Sequence, residues 1–409
     1  MQTGKHVLFL TSTNLCCNPR CLKEVRLLVE MNVSVTVVAF NLHNWTRENE
    51  KELNKELPSV NFHYLETTRK NLVSWFLPFI IEKSGRFLFS IFSTRLFCAS
   101  IALSKRSWLL LNSCKITAEK HDLIIAHNPA AFYPAYWLAK KNNIPFAIDI
   151  EDYHPGENLP VSVKKSVTLL MKQLLPKAVY TSFASQLIKV NTEKLLNATG
   201  SFIVINNLFS KDEFIEPVLN NYDTTKIKLV WFSQYIDYGR GLEKILPVLD
   251  KFQDDFELIL IGKIREAFFK NELKDRNYIC CKDSMPHAIL QKELSKYDVG
   301  LAIEDGTIDF NRDICLTNKI WSYFQAGLFI IASDTKAQKV YMEEHLLHGI
   351  STSLFSKVLD RTFERVLENK EQIRASKTTR FKNASSYNWE LESVALVKKW
   401  EEILHRKKS

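Results

Sequence analysis

Short apolar runs alternate with helix-period segments along this chain, and they do so in two series. The first places strands at 6–10, 34–40, 60–65, 123–126, 145–150, 178–183 and 202–205; the second restarts at 227–232 and continues at 256–261, 278–281, 299–303 and 328–332. This is the pattern of βα units around a parallel sheet. The expected fold is therefore α/β, with two Rossmann-like domains, in keeping with a length of 409 residues. The join falls in VINNLFSKDEFIEPVLNNYDTTK, where regular pattern gives way to Asn, Asp and Pro, so the domains are set at 1–207 and 208–388. Residues 389–409 carry helix-period apolar positions and form a terminal helix that could pack back across either domain.

Composition narrows the partners. Hydrophobic residues make up 46% and charged residues 25% of the chain, a globular balance that argues against extensive disorder. The net charge of +9 fits nucleic acid, an anionic membrane face or phosphorylated small molecules. No zinc-ligand spacing, RNA-binding aromatic signature or basic heptad accompanies it, so no nucleic-acid partner is expected. The 8 cysteines show no framework spacing and no CxxC pair, and Cys16, Cys17 and Cys21 lie without a nearby His; they read as reduced thiols, with no metal site expected. The apolar run in MQTGKHVLFLTSTN is too short for a signal peptide, which points to a cytoplasmic protein.

Residues 69–115 break the alternation. This stretch is dense in Phe, Trp, Leu and Ile and holds Arg69, Lys70, Lys83, Arg86, Arg95, Lys105, Arg106 and Lys115 against Glu82 as its sole acid. Its apolar runs are interrupted well short of the ~18 residues of a membrane span. A basic, aromatic-rich helical insertion in the first domain is expected, either lying on an anionic leaflet, which would make the protein peripheral on the inner membrane face, or covering the sheet with a solvated basic face.

Phosphate chemistry cannot rest on glycine loops, because the chain has 11 glycines and neither GxGxxG nor GxxxxGK[ST]. Three helix starts carry a cation instead. Asn18 and Pro19 open a helix with Arg20 in its first turn; Arg240 precedes a helix whose buried face is Leu242, Ile245, Leu246 and Leu249; and Thr317 precedes a helix with Lys319 in its first turn and Gly327 as its stop. A cation there opposes the helix dipole by about 0.3–1 kcal/mol unless an anion lies nearby. A bound nucleotide diphosphate, in a second-domain cleft facing the first, would supply that anion; so would side chains such as Asp237 and Asp313.

The segments NPRCLKEVRLLVEMNVSVTVVAF, DLIIAHNPAAFYPAYWLAKKNNIPFAIDIEDYHPGE, FSQYIDYGRGLEKIL, LILIGK and NRDICLTNKIWSYFQAGLFIIASDTKAQ follow one another in an order that resembles GT-B glycosyltransferases, and most nearly bacterial glycosyltransferase family 4. The resemblance implies a sugar-nucleotide donor, a UDP- or GDP-sugar, held mainly by the second domain, and a glycan or lipid-linked acceptor held by the first. It implies no cofactor, no metal and retention of anomeric configuration. Where that family has a diphosphate-gripping Gly-Arg pair and a downstream lysine, this chain has Ser233, Gln234 and Arg240. The position of the ribose-holding glutamate is Ser322, its usual partner acid is replaced by Ile314, and Glu151 stands where many relatives have a histidine.

The donor-site residues are accordingly Gln234, Arg240, Lys263, Asn318, Lys319 and Ser322. Acceptor-binding residues are Asn18, Arg20, His127 and His154. The acids at strand ends, Glu151, Asp152 and Glu304, are the catalytic candidates, able to position a sugar or accept the acceptor's proton. For Glu151, Asp152 and His154 a loop hydrogen-bonding network is the alternative. The function expected is transfer of a sugar to a cell-surface polysaccharide or lipid-linked acceptor. The departures at Gln234, Ile314 and Ser322 also suit a non-catalytic GT-B-like protein docked on a membrane glycan-assembly enzyme, and the fold also serves sugar-nucleotide epimerases.

Overall fold

A computed structural model describes residues 4–42, 47–66, 72–116, 120–217 and 225–405. The chain divides into two compact units, Met1–Ile205 with Ala395–Ser409, and Asn206–Val394.

Among the described residues, unit 1 holds a seven-stranded sheet built from β1 (His6–Thr11), β2 (Ser34–Asn41), β3 (Val60–Glu66), β4 (Leu123–His127), β5 (Phe146–Ile150), β6 (Thr181–Phe183) and β7 (Phe202–Val204), in the order β3-β2-β1-β4-β5-β6-β7. Every pairing is parallel. Strands such as VLFL in β1 and LIIAH in β4 are buried at successive positions, as a sheet covered on both faces requires. Chain order reverses between β1 and β4, and the loops after these two strands therefore splay apart and leave a crevice. The helix Pro19–Glu30 leaves that point with Asn18 accepting a hydrogen bond from the Cys21 amide, Pro19 in its first turn and Val25 and Leu28 buried.

Among the described residues, the stretch between β3 and β4 forms three helices, Leu72–Ile91, Leu96–Leu103 and Lys105–Ile116. The first two approach closely at Gly85, where a Cβ would lie 2.6 Å from Ile101 Cγ1. Glu82, the sole acid of the stretch, accepts from the Lys105 amide at 2.7 Å and from Arg86 Nη2 at 2.7 Å, and so ties the first helix to the start of the third. Phe89, Cys98, Ala99, Ile101 and Leu110 are buried, whereas Phe76, Ile80, Phe87, Ile91 and Phe92 are exposed. The outer face is thus apolar as well as basic. No helix among the described residues is long and apolar enough to cross a membrane.

Unit 2 holds, among its described residues, a six-stranded parallel sheet of β8 (Ile227–Ile236), β9 (Phe256–Ile264), β10 (Ile279–Lys282), β11 (Val299–Ala302), β12 (Phe329–Ser333) and β13 (Gly349–Thr352), ordered β10-β9-β8-β11-β12-β13. Along β8, Leu229 and Trp231 enter one core cluster with Leu242 and Ile245, while Val230 enters another with Tyr323 and Phe324. The order reverses between β8 and β11. A register shift between Phe232 and Tyr235 bulges β8, bringing the Ser233 carbonyl against β9; Gly262 lies there at φ 146, and a Cβ on it would sit 2.0 Å from that oxygen.

Sequence and structure differ in several elements. The strand β13 was not expected, β6 and β7 are shorter than their apolar runs, and β8 and β9 are longer. The terminal helical stretch is two helices, Trp389–Glu392 and Val394–Leu404. The first is tied to unit 2 by the Trp389 amide donating to the Phe209 carbonyl at 2.9 Å; the second buries Leu396, Trp400 and Leu404, and Trp400 Nε1 donates to Tyr180 Oη at 2.8 Å in unit 1.

Candidate functional site

In unit 2 the chemistry gathers where β8 and β11 part. The helix Asn318–Gln325 puts Lys319 in its first turn, yet Lys319 is only 6% exposed. Its ammonium lies 2.6 Å from Glu304 Oε1 and 5.1 Å from the centre of the Trp231 ring. Arg240 Nη1 reaches the same carboxylate oxygen at 3.5 Å, and Thr317, which stands at the N-cap position, turns its hydroxyl to that oxygen at 3.3 Å rather than onto its own helix. The Glu304 amide donates to Ser333 Oγ at 3.0 Å, fixing the acid at the β11 exit. Close packing of the helix on the sheet holds this arrangement, since a Cβ at Gly300 would fall 2.3 Å from Tyr323 Cγ.

The anion that a first-turn cation demands is therefore Glu304, and not Asp237 or Asp313, which face Arg265 at 3.9 Å and Lys336 at 2.5 Å. Burial works against charge on Glu304, but Lys319 and Arg240 beside it outweigh burial and hold its carboxyl below the usual range. Burial also lowers Lys319 despite the attraction of Glu304. One carboxylate shared by two cations leaves a positive remainder at a helix start, which suits a phosphate.

The other donor-side residues are more dispersed. Gln234 is exposed in the β8 bulge and Lys263 is exposed opposite Tyr235. Asn318 is exposed, its Oδ1 accepting from Asn207 Nδ2 at 3.3 Å. Ser322 is buried with its hydroxyl 3.4 Å from the Asn318 carbonyl, and Ile314 is buried. Trp231 and Arg312 were not anticipated. Trp231 is hidden in an apolar strand, and Arg312, which donates to the Gly239 carbonyl at 2.5 Å, belongs to the short helix Phe310–Ile314 that no periodicity announces.

Unit 1 has its own concentration of charge at the β1/β4 crevice. Arg20 does not face a phosphate: its side chain is fully buried, with Nη2 3.0 Å from Asp149 Oδ1, Nε 3.3 Å from Glu24 Oε1, and Nη1 donating to the Ile205 carbonyl. His127 is also fully buried, 3.3 Å from Glu24 Oε2, 3.5 Å from Asp149 Oδ2 and 3.9 Å from Glu151 Oε1. Burial opposes charge on His127, but Cys21, Glu24 and Glu151 around it prevail and raise its pKa well above the ordinary imidazole value. Burial raises Glu151 as well. Glu24, His127 and Asp149 place ligand atoms within 4.8 Å of one another, a set a divalent cation could use, although Arg20 already pairs with both acids.

In front of this cluster lies a pocket of about 210 Å³, lined by Thr13, Cys17 and Asn18 after β1, Asn128 after β4, and Asp149, Glu151, Asp152 and His154 from β5 and its exit. Asn18, Glu151, Asp152 and His154 thus come together, while Arg20 and His127 stand behind them. His154 is held by Glu157 at 2.8 Å. Asn128 occupies the N-cap position of the next helix but accepts from the Thr11 hydroxyl at 2.9 Å instead of capping it. Asp149 and Glu24 were missed; an acid inside the apolar strand FAIDI was the available signal for the first.

No protein-family model matches this chain, and no curated protein matches it in sequence. Solved structures do. A glycosyltransferase from Rickettsia africae ESF-5 is 14% identical, with 99% of this chain and 100% of that one covered at a TM-score of 0.65. HepE of Anabaena, solved in complex with UDP, is 12% identical over 97% and 100% of the two chains at 0.67. Sucrose-phosphate synthase from Thermosynechococcus elongatus is 12% identical over 98% and 99% at 0.67. At these identities the likeness shows the fold, which is the GT-B fold of two Rossmann-like units.

Proposed function

We propose that this chain is a glycosyltransferase that moves a sugar from a nucleotide diphosphate donor to a glycan or lipid-linked acceptor of the cell surface. The observation that carries the reading is the convergence of Arg240 and Lys319 on Glu304 at a helix start beside the β8/β11 reversal. As the bond from the anomeric carbon to the diphosphate breaks, negative charge grows on the leaving oxygen, and Arg240, Lys319 and the free amides of the Asn318–Gln325 helix are placed to stabilise it. Glu304 orients Lys319 for that role. Glu151 and Asp152 are assigned to the acceptor, orienting its hydroxyl or taking its proton. That charge supply comes from side chains, so a metal-independent reaction is proposed, with retention of configuration as the resemblance suggests. HepE, of the same fold, was solved with UDP, which favours a uridine nucleotide.

Nucleoside diphosphates should raise the melting temperature of the protein. At a hundredfold excess over Kd the stabilisation is about 2.7 kcal/mol. Differential scanning fluorimetry with UDP and GDP reads this directly, and the absence of any shift with either would count against a donor site.

The acceptor is proposed to reside at an anionic membrane surface. Phe76, Ile80, Phe87, Ile91 and Phe92 are exposed in the first of the three inserted helices and the turn after it, with Lys83 4.8 Å from the Phe79 ring. Such a face pairs apolar insertion with attraction to acidic headgroups. Vesicles containing phosphatidylglycerol should carry the protein in flotation, neutral vesicles less, and Phe87→Asp with Ile91→Asp should lower binding by about tenfold or more. Equal flotation of the double variant would rule this face out.

A further inference from the structure

We infer that Cys17, positioned by its neighbour Cys16, is a site of covalent modification that forms a mixed disulfide with a small cationic disulfide. The inference stands apart from the transferase reading and uses none of its residues as catalysts.

The geometry comes first. Leu15–Cys17 form a single helical turn after β1, and there two adjacent thiols meet, Cys16 and Cys17 being hydrogen-bonded through their sulfurs. The turn is held in place: the Cys16 amide donates to Glu50 Oε1 at 2.6 Å, and the buried Asn14 donates from Nδ2 to Cys16 Sγ at 3.5 Å. Cys17 itself is exposed and lines the unit 1 pocket. The chain has a second adjacent pair, Cys280 and Cys281, but these belong to β10, and a strand turns successive side chains to opposite faces.

The two pairs therefore differ in chemistry. A thiolate, not a thiol, is the nucleophile. Hydrogen bonds to Cys17 from Cys16, and next from Asn14, favour its thiolate against burial and hold the group down at about 7. Cys16 goes the other way. The Cys17 sulfur, burial and Glu50 together push it well above the usual thiol range, so it keeps the proton that it donates. Cys281 is exposed too, but burial of its surroundings, with Cys280 adding to it, raises it.

In the step proposed, the Cys17 thiolate attacks one sulfur of a disulfide R–S–S–R. A bond forms from Cys17 Sγ to that sulfur as the reagent's own disulfide bond breaks, and R–S⁻ leaves and takes a proton from water. The R group retained on Cys17 faces a cavity of about 210 Å³, room for a short chain. Asp149, Glu151 and Asp152 line that cavity with His154 as the basic member, so a cationic R is favoured over an anionic one.

Peptide mass mapping of the full chain after timed exposure to cystamine or dithiodiglycolate tests this. At about pH 7, cystamine should label Cys17 about fivefold or more faster than Cys281. The rate at Cys17 should rise with pH through about 7. At low salt cystamine should outrun dithiodiglycolate at Cys17 by about threefold or more, although the net charge of +9 favours the anion elsewhere on the chain. Cys16→Ala removes the donor and should move the pH profile up by about one unit or more, whereas Cys16→Ser keeps an O–H donor and should stay nearer the parent. Equal labelling of Cys17 and Cys281, no preference for cystamine, an unchanged profile in Cys16→Ala, or the same displacement in Cys16→Ser would each overturn the inference.

Discussion

Replacing Lys319 with alanine is expected to lower sugar transfer by about a hundredfold to a thousandfold, the scale of losing one preorganised charge at a developing anion. Lys319 is 6% exposed and within 5.1 Å of the Trp231 ring centre, so its charge acts where water is scarce. The variant leaves Glu304 with Arg240 at 3.5 Å, and some stability will be lost with the buried pair. Activity must therefore be compared at a temperature where circular dichroism shows both proteins folded. A folded Lys319→Ala protein that turns over donor within about fivefold of the parent would remove Lys319 from the donor site and would favour a reaction that does not use this helix.

Arg20→Met should cost unit 1 about 3–5 kcal/mol, since it leaves Glu24 and Asp149 buried with a lost partner. For a unit of this size each kcal/mol moves the melting temperature by about 2–4 °C, so the shift is large and easily read by calorimetry. An unchanged melting temperature would mean that the cluster is neutral or hydrated. The same cluster has a pH signature. The raised pKa of His127 means that its contribution is fully present below the unfolded imidazole value and fades as pH rises through the folded one. Unit 1 should accordingly lose stability on the alkaline side, and His127→Gln should flatten that limb.

These two residues also show how far the sequence could be read. A cation in a first helical turn signals an anion nearby, which the sequence reading took to be a bound phosphate; at Lys319 and Arg20 alike the fold itself supplies a carboxylate. What it cannot give is the identity of the anion. For Lys319 the partner is Glu304, a strand-end acid already singled out but 15 positions away. For Arg20 one partner is Glu24, one turn along and visible in principle; the other is Asp149, 129 positions away and brought close only by the pairing of β1, β4 and β5. Arg20 consequently reads as a ligand-binding residue in sequence and is a buried structural one in the fold.

The strands follow the same logic. Runs such as VTVVAF and LILI announce themselves by continuous apolar character, whereas β13, GIST, offers one large apolar residue among small and polar ones. It is a strand because Ile330 to Ser333 of β12 present a free edge to it, with Ile330 opposite Gly349. A Cβ at Gly349 would lie 2.0 Å from the Ile330 carbonyl, so it is the glycine that admits the strand.

The most direct test of the donor reading is release of nucleoside diphosphate from UDP- and GDP-sugars by the purified chain, with and without a neutral glycoside acceptor. Transfer predicts release from at least one nucleotide sugar, increased by acceptor and lost in Lys319→Ala. No release from any of them, with or without acceptor, would contradict it.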